Sequence, residues 1–86
     1  MSDVSGYSEI ANEQLDEIDA SDAELYNDVR VLCECILDHP DMALSLSRAL
    51  TTKVGIRLRL AVPGHRPYKA FWSSGGPRVE AVFPHP

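Results

Sequence analysis

The chain has 86 residues, a mass of 9.5 kDa and a formal net charge of −5, with 44% hydrophobic and 24% charged side chains. That size holds one domain, and the composition is that of a globular chain rather than a disordered or fibrous one. No apolar run approaches the roughly 20 residues a membrane-spanning helix needs, so no such span and no membrane partner are expected.

The net charge hides a division. From Met1 to Ser45 twelve acidic residues stand against Arg30 alone; from Leu46 to Pro86 seven basic residues stand against Glu80 alone. Such asymmetry fits an anion-binding face, or an acidic arm folded over a basic surface, as well as halves that merely neutralise each other. The acidic N-terminus has no basic n-region and no apolar h-region, so a secretory signal is not expected. With only Cys33 and Cys35 in the chain, a cytosolic location is the expectation.

Residues 1–20 are rich in Ser, Asp and Glu and are expected to form a mobile acidic arm. Tyr7, Ile10, Ala11, Leu15 and Ile18 fall near helical spacing, so the arm can become a short amphipathic helix against a partner or its own domain. The domain proper is expected over residues 21–86. Ser21-Asp22-Ala23-Glu24 reads as a capping box opening a helix, whose stripe is Leu25, Val29, Leu32 and Ile36. Pro40 ends that helix, and a second is expected over about Asp41–Thr52, with Met42, Leu46, Ala49 and Leu50 on its apolar face.

The period then changes from 3.6 to 2. Ile56, Leu58 and Leu60 alternate with Arg57 and Arg59, which is a half-buried strand. Pro63–Pro67 is turn chemistry, and a second strand carries Tyr68, Ala70 and Trp72 on one face and Lys69 and Phe71 on the other. Ser74–Pro77 turns the chain again, and a third strand follows over Arg78–Phe83, with Arg78 and Glu80 opposite in parity to Val79, Ala81 and Phe83. The expected fold is α+β: a helical hairpin packed on a three-stranded antiparallel meander, preceded by the arm.

Candidate chemistry is sparse. Cys33-x-Cys35 has the wrong spacing for a redox or zinc motif, and both thiols are expected to be buried or half-buried. His39, His65 and His85 have no sequence-local nucleophile or carboxylate partner, and His65 and His85 are expected at opposite ends of the meander. There is no phosphate-binding glycine loop and no nucleophile elbow. No catalytic residue, metal site or cofactor is read from the sequence. The outward face of the sheet is the better candidate: Arg57, Arg59, Lys69, Phe71 and Arg78 are the expected binding residues, since cations with an exposed aromatic can track a phosphate backbone and stack a base. The same pattern also fits a solvated face whose arginines keep the sheet soluble.

The helical hairpin with its proline-aspartate kink, followed by "PYKAFW" and "RVEAVFPHP" as consecutive strands, resembles the RelE/ParE superfamily of bacterial toxins over about Glu24–His85. Members of that superfamily usually begin with a β-strand where this chain carries its acidic arm. The resemblance implies ribonucleases that cleave messenger RNA on the ribosome with basic and tyrosine side chains on the sheet. The positions that match by strand location are Arg57, Arg59, Tyr68, Lys69 and His85. The leading expectation is a small non-catalytic protein that binds a macromolecular partner, protein ahead of nucleic acid, through the basic sheet face or the acidic arm. A RelE-like ribonuclease and a small nucleic-acid-binding module are the alternatives.

Overall fold

Three helices precede four strands in the computed structural model, which describes residues 6–53 and 55–85. The helices are α1 (Glu9–Ser21), α2 (Ala23–Asp38) and α3 (Pro40–Leu46); the strands are β1 (Arg48–Thr52), β2 (Gly55–Ala61), β3 (Tyr68–Ser73) and β4 (Arg78–Pro84). The strands form one antiparallel sheet in the order β1-β2-β3-β4. The α+β class expected from the switch in period holds, with four strands in place of three.

The extra strand takes the second half of the helix expected over Asp41–Thr52. α3 stops at Leu46, Ser47 is extended, and Arg48–Thr52 pairs with β2 in the register Arg48↔Arg59, Leu50↔Arg57 and Thr52↔Gly55. Ser47 fastens this break to the sheet: its hydroxyl donates to the Ala43 carbonyl at 2.7 Å and accepts from Trp72 Nε1 at 3.0 Å. The adjacent β-branched Thr51 and Thr52 also suit a strand better than a helix.

The expected capping box is displaced by one position. Ser21 ends α1, its hydroxyl donating to the Glu17 carbonyl at 3.0 Å, and the extended Asp22 caps α2 by accepting the Leu25 amide at 3.1 Å. A one-residue hinge thus separates α1 from α2, and His39 separates α2 from α3 in the same way, with Pro40 at the first helical position.

Over Glu9–Ser21 the acidic segment is a helix docked on its own domain, with Ala11, Leu15 and Ile18 buried; residues 1–5 lie outside the described residues. The docking is specific because β4 would otherwise be an open edge. Val79 donates to Gly6 O at 2.7 Å and accepts from Ser8 N at 2.9 Å, and Val82 N donates to Gln14 Oε1 at 2.6 Å. Gly6 has φ +105, and a Cβ there would meet the Leu37 side chain at 3.0 Å, so both backbone and space call for glycine. Two consequences follow: one sheet edge is closed, and the acidic helix lies on the helical side of the sheet, contributing to the core instead of covering the basic face.

That core lies between the helices and the inner face of the sheet. Val29, Cys33 and Ile36 of α2 meet Leu58, Leu60, Val62, Ala70, Trp72, Val79 and Val82, with Trp72 wholly buried. The bulge in β4 decides which residues reach this face. Phe71 pairs with Ala81 but Trp72 pairs with Val79, so Glu80 is the extra residue and strand parity shifts there. The face shared by Val79, Ala81 and Phe83 in simple alternation is therefore split: Val79 and Val82 point to the core, while Ala81 and Phe83 join the outer face.

Candidate functional site

The outer face of the sheet gathers most of the basic half of the chain. Cross-strand partners share a face, so the register places Arg48, Arg59, Phe71 and Ala81 in one row and Ala61, Lys69 and Phe83 in the next, with Leu50 opposite Arg57. Of the five residues expected to bind, Arg57, Arg59, Lys69 and Phe71 come together here. Arg78 is exposed and sits opposite Ser73 at the β3–β4 turn, away from the other four.

His85 organises the face. Its amide donates to Pro67 O at 2.9 Å, which lays the chain beyond β4 across the start of β3. Its carbonyl accepts from Lys69 Nζ at 2.9 Å, a second Lys69 contact reaches Pro67 O at 3.3 Å, and its Nδ1 lies 3.4 Å from Arg59 Nη1. A guanidinium only donates, so Nδ1 is the acceptor in this contact and a neutral His85 carries its proton on Nε2. The ring also stands edge-on to Phe71 at 5.4 Å, and Phe71 stacks on Phe83 at 4.7 Å with 12° between planes. Phe71 is therefore only 5% exposed and is the floor of the face instead of the free stacking ring expected of it; Phe83 and His85 are the half-exposed rings.

A groove of about 240 Å³ runs over this floor, with Leu50, Thr52 and Arg57 on one wall and Glu80, Phe83 and His85 on the other. Beyond Arg59 a hollow of about 160 Å³ is lined by Leu46, Arg48, Arg59, Ala61 and Lys69. Among the described residues no carboxylate comes within ion-pairing distance of Arg48, Arg57, Arg59 or Lys69; the Arg30–Glu34 ion pair at 3.8 Å and the His65–Asp28 contact at 2.6 Å both lie elsewhere. Glu80, the one acid on the face, accepts from the Ser73 hydroxyl at 2.9 Å. A larger concavity of about 410 Å³ lies on α2 between Val31, Leu32, Cys35 and Pro63. It is walled by apolar atoms, and its polar residue, Asp28, is already engaged by His65, so it offers no converging polar groups.

Other residues considered from the sequence fall away from the site. Tyr68 packs against the core and is not on the outer face. His65 and His85 lie at the same end of the meander, contrary to the expectation, because β4 runs back to the β2–β3 turn; His65 turns to α2 and His85 to the outer face. Cys33 is buried, and burial pushes its thiol up to about 12, so it remains protonated and unreactive at neutral pH. The Tyr7 hydroxyl is buried beside that thiol, and burial raises it likewise to about 12. No group of three or more His, Cys, Asp or Glu side chains among the described residues stands close enough to hold a metal ion, and no described helix is long and apolar enough to cross a membrane.

The sequence does not single out Arg48 or Phe83 as binding residues, and it places His85 among the candidate site residues only through the family resemblance. Arg48 was hidden because its segment has helical spacing, and Phe83 because the bulge reverses its parity. No protein-family model, curated protein or solved structure matches the chain.

Proposed function

We propose that the protein binds single-stranded RNA through the outer face of its sheet. The observation that carries this reading is the cluster of Arg48, Arg57, Arg59 and Lys69 without a carboxylate partner, set around the half-exposed rings of Phe83 and His85. Unpaired cations in one array repel one another, and a chain of phosphates relieves that repulsion while releasing its own counterions. Half-exposed rings beside the cations offer stacking to an unpaired base, which an acidic protein surface would not use. This favours RNA over the protein partner expected from the sequence.

The test is binding of a labelled single-stranded RNA followed by fluorescence anisotropy. The wild-type chain should bind, and the double reversal Arg57→Glu/Arg59→Glu should abolish binding while leaving the circular dichroism spectrum unchanged. Absence of wild-type binding at low salt refutes the proposal.

A second reading, ribonucleolytic cleavage as the RelE/ParE resemblance implies, is favoured by one contact. Arg59 faces Nδ1 of His85 and leaves Nε2 of the same ring as the proton-carrying atom beside the cations. The Nε2–H of this tautomer can donate a hydrogen bond to the leaving oxygen or to a phosphate oxygen, and Arg59 can hold the charge that develops on the phosphate. His85→Ala should then remove cleavage and keep binding. Intact RNA after prolonged incubation with the wild-type chain counts against this reading and leaves the binding proposal standing.

A further inference from the structure

We infer that the hollow between Arg48, Arg59 and Lys69 is a seat for a terminal phosphate, the dianionic monoester at one end of an RNA strand. This rests on the RNA-binding reading and specifies where the end of the strand is held.

Arg48 and Arg59 are direct cross-strand partners on the same face of β1 and β2, an arrangement that like charges disfavour. Lys69 comes to the same place from β3, diagonal to Arg59, because its own partner is Ala61. Ala61 is too short to fill the space between them, and the hollow of about 160 Å³ remains. Its other wall is Leu46, and no carboxylate among the described residues neutralises the three cations. Three positive charges held around an unfilled space are relieved by a multivalent anion.

The donors are also prepared. Lys69 spends two of its three ammonium hydrogens on the carbonyls of Pro67 and His85, which fixes the head group and leaves one hydrogen free. Arg59 spends one donor on His85 Nδ1 and keeps the rest of its fork. Arg48 is exposed, with its guanidinium uncommitted among the described residues. One cation is therefore available for each of three oxygens. A terminal monoester has three non-bridging oxygens and carries about −1.5 to −2 at neutral pH, whereas an internal diester has two such oxygens and a single charge. The groove over Phe71 begins on the far side of Arg59, so a strand with its end in the hollow has its next nucleotides beside Phe83 and His85.

The test uses short 2′-O-methyl RNA oligonucleotides, which resist cleavage through the 2′-oxygen, with a 5′-phosphate, a 3′-phosphate or neither. The wild-type chain should bind one phosphorylated form at least tenfold more tightly than the bare form at 0.15 M salt. Arg48→Gln should remove that gain, bringing the phosphorylated and bare oligonucleotides within threefold of each other in affinity. Ala61→Asp, which places a carboxylate in the hollow, should do the same. In parallel, inorganic pyrophosphate should raise the melting temperature of the wild-type chain but not of Arg48→Gln, at matched ionic strength. Equal affinity for all three oligonucleotides, or a gain that survives Arg48→Gln, overturns the seat while the RNA reading stands. Failure of every oligonucleotide to bind, with an Arg48-dependent pyrophosphate effect, overturns the RNA reading and keeps a phosphate site. Absence of both overturns both.

Discussion

The Ser8 hydroxyl donates to the Glu80 carbonyl at 2.6 Å across 72 positions and accepts the Ala11 amide at 3.0 Å. One side chain thus starts α1 and fastens it to the bulged edge of β4. Ser8 is also buried, so its hydroxyl has no water to fall back on. Removing it leaves a carbonyl and a helix-terminal amide unsatisfied together. Ser8→Ala should cost about 1–3 kcal/mol, a large share of the stability of so small a domain. Urea denaturation checks this, with a lower midpoint and an unchanged slope as the expected result. An unchanged midpoint would show that α1 is not part of the cooperative unit.

Much of this fold is legible in the sequence because its signals are local. The stripe Leu25, Val29, Ile36 and the alternation around Arg57 and Arg59 each follow from one segment's own pattern, and both elements form. β1 is not legible: Met42, Leu46, Ala49 and Leu50 have helical spacing, and pairing with β2 and the hydrogen bond between Ser47 and Trp72 turn the chain extended instead. The bulge at Glu80 is equally invisible, since no glycine marks it and it coincides with the docking of residues 6–8, distant in sequence, on the same strand. The candidate site inherits these gaps. Arg57, Arg59 and Lys69 are readable from parity, while Arg48 depends on β1 and Phe83 on the bulge.

Trp72 carries the core. It is fully buried, and its indole N–H is used by Ser47 at the break between α3 and β1. Trp72→Ala should cost about 3–5 kcal/mol, enough to unfold much of the population, as monitored by circular dichroism. Ser47→Ala isolates the hydrogen bond and should cost about 1 kcal/mol, with the break at Ser47 loosened but the core filled. A Trp72→Ala variant with unchanged melting would mean the sheet packs by its other face.

Alkaline pH should destabilise the protein through Cys33 and Tyr7. In the unfolded chain the thiol ionises near its ordinary 9.0, whereas burial holds it protonated to about 12 in the folded state. Tyr7 moves in the same direction, from 10.0 to about 12, also by burial. Between these limits the unfolded state binds fewer protons, so stability is complete below pH 9 and falls as pH rises toward 12. Urea midpoints at a series of pH values should show this decline. In Cys33→Ala it should begin later, near the Tyr7 range, at the expense of a lower midpoint throughout. Identical pH profiles for the two chains would exclude the thiol as a cause.

Salt dependence separates the cations of the outer face from cations that are merely near it. On single strands the logarithm of affinity falls with the logarithm of salt concentration by about 0.7 for each phosphate neutralised. If, on an RNA without a terminal phosphate, Arg48, Arg57, Arg59 and Lys69 each meet one internal phosphate, the wild-type slope should be about −3. Arg57→Gln should flatten it by about 0.7 and weaken binding at low salt, because Arg57 lines the groove. Arg78 is the internal control. It belongs to the same basic half of the sequence, but it sits opposite Ser73 at the β3–β4 turn and borders neither the groove nor the hollow. Arg78→Gln removes the same formal charge and should leave the slope unchanged. If the two variants flatten the slope equally, binding follows net charge alone, and the register that sets Arg48, Arg59 and Lys69 together has no part in recognition.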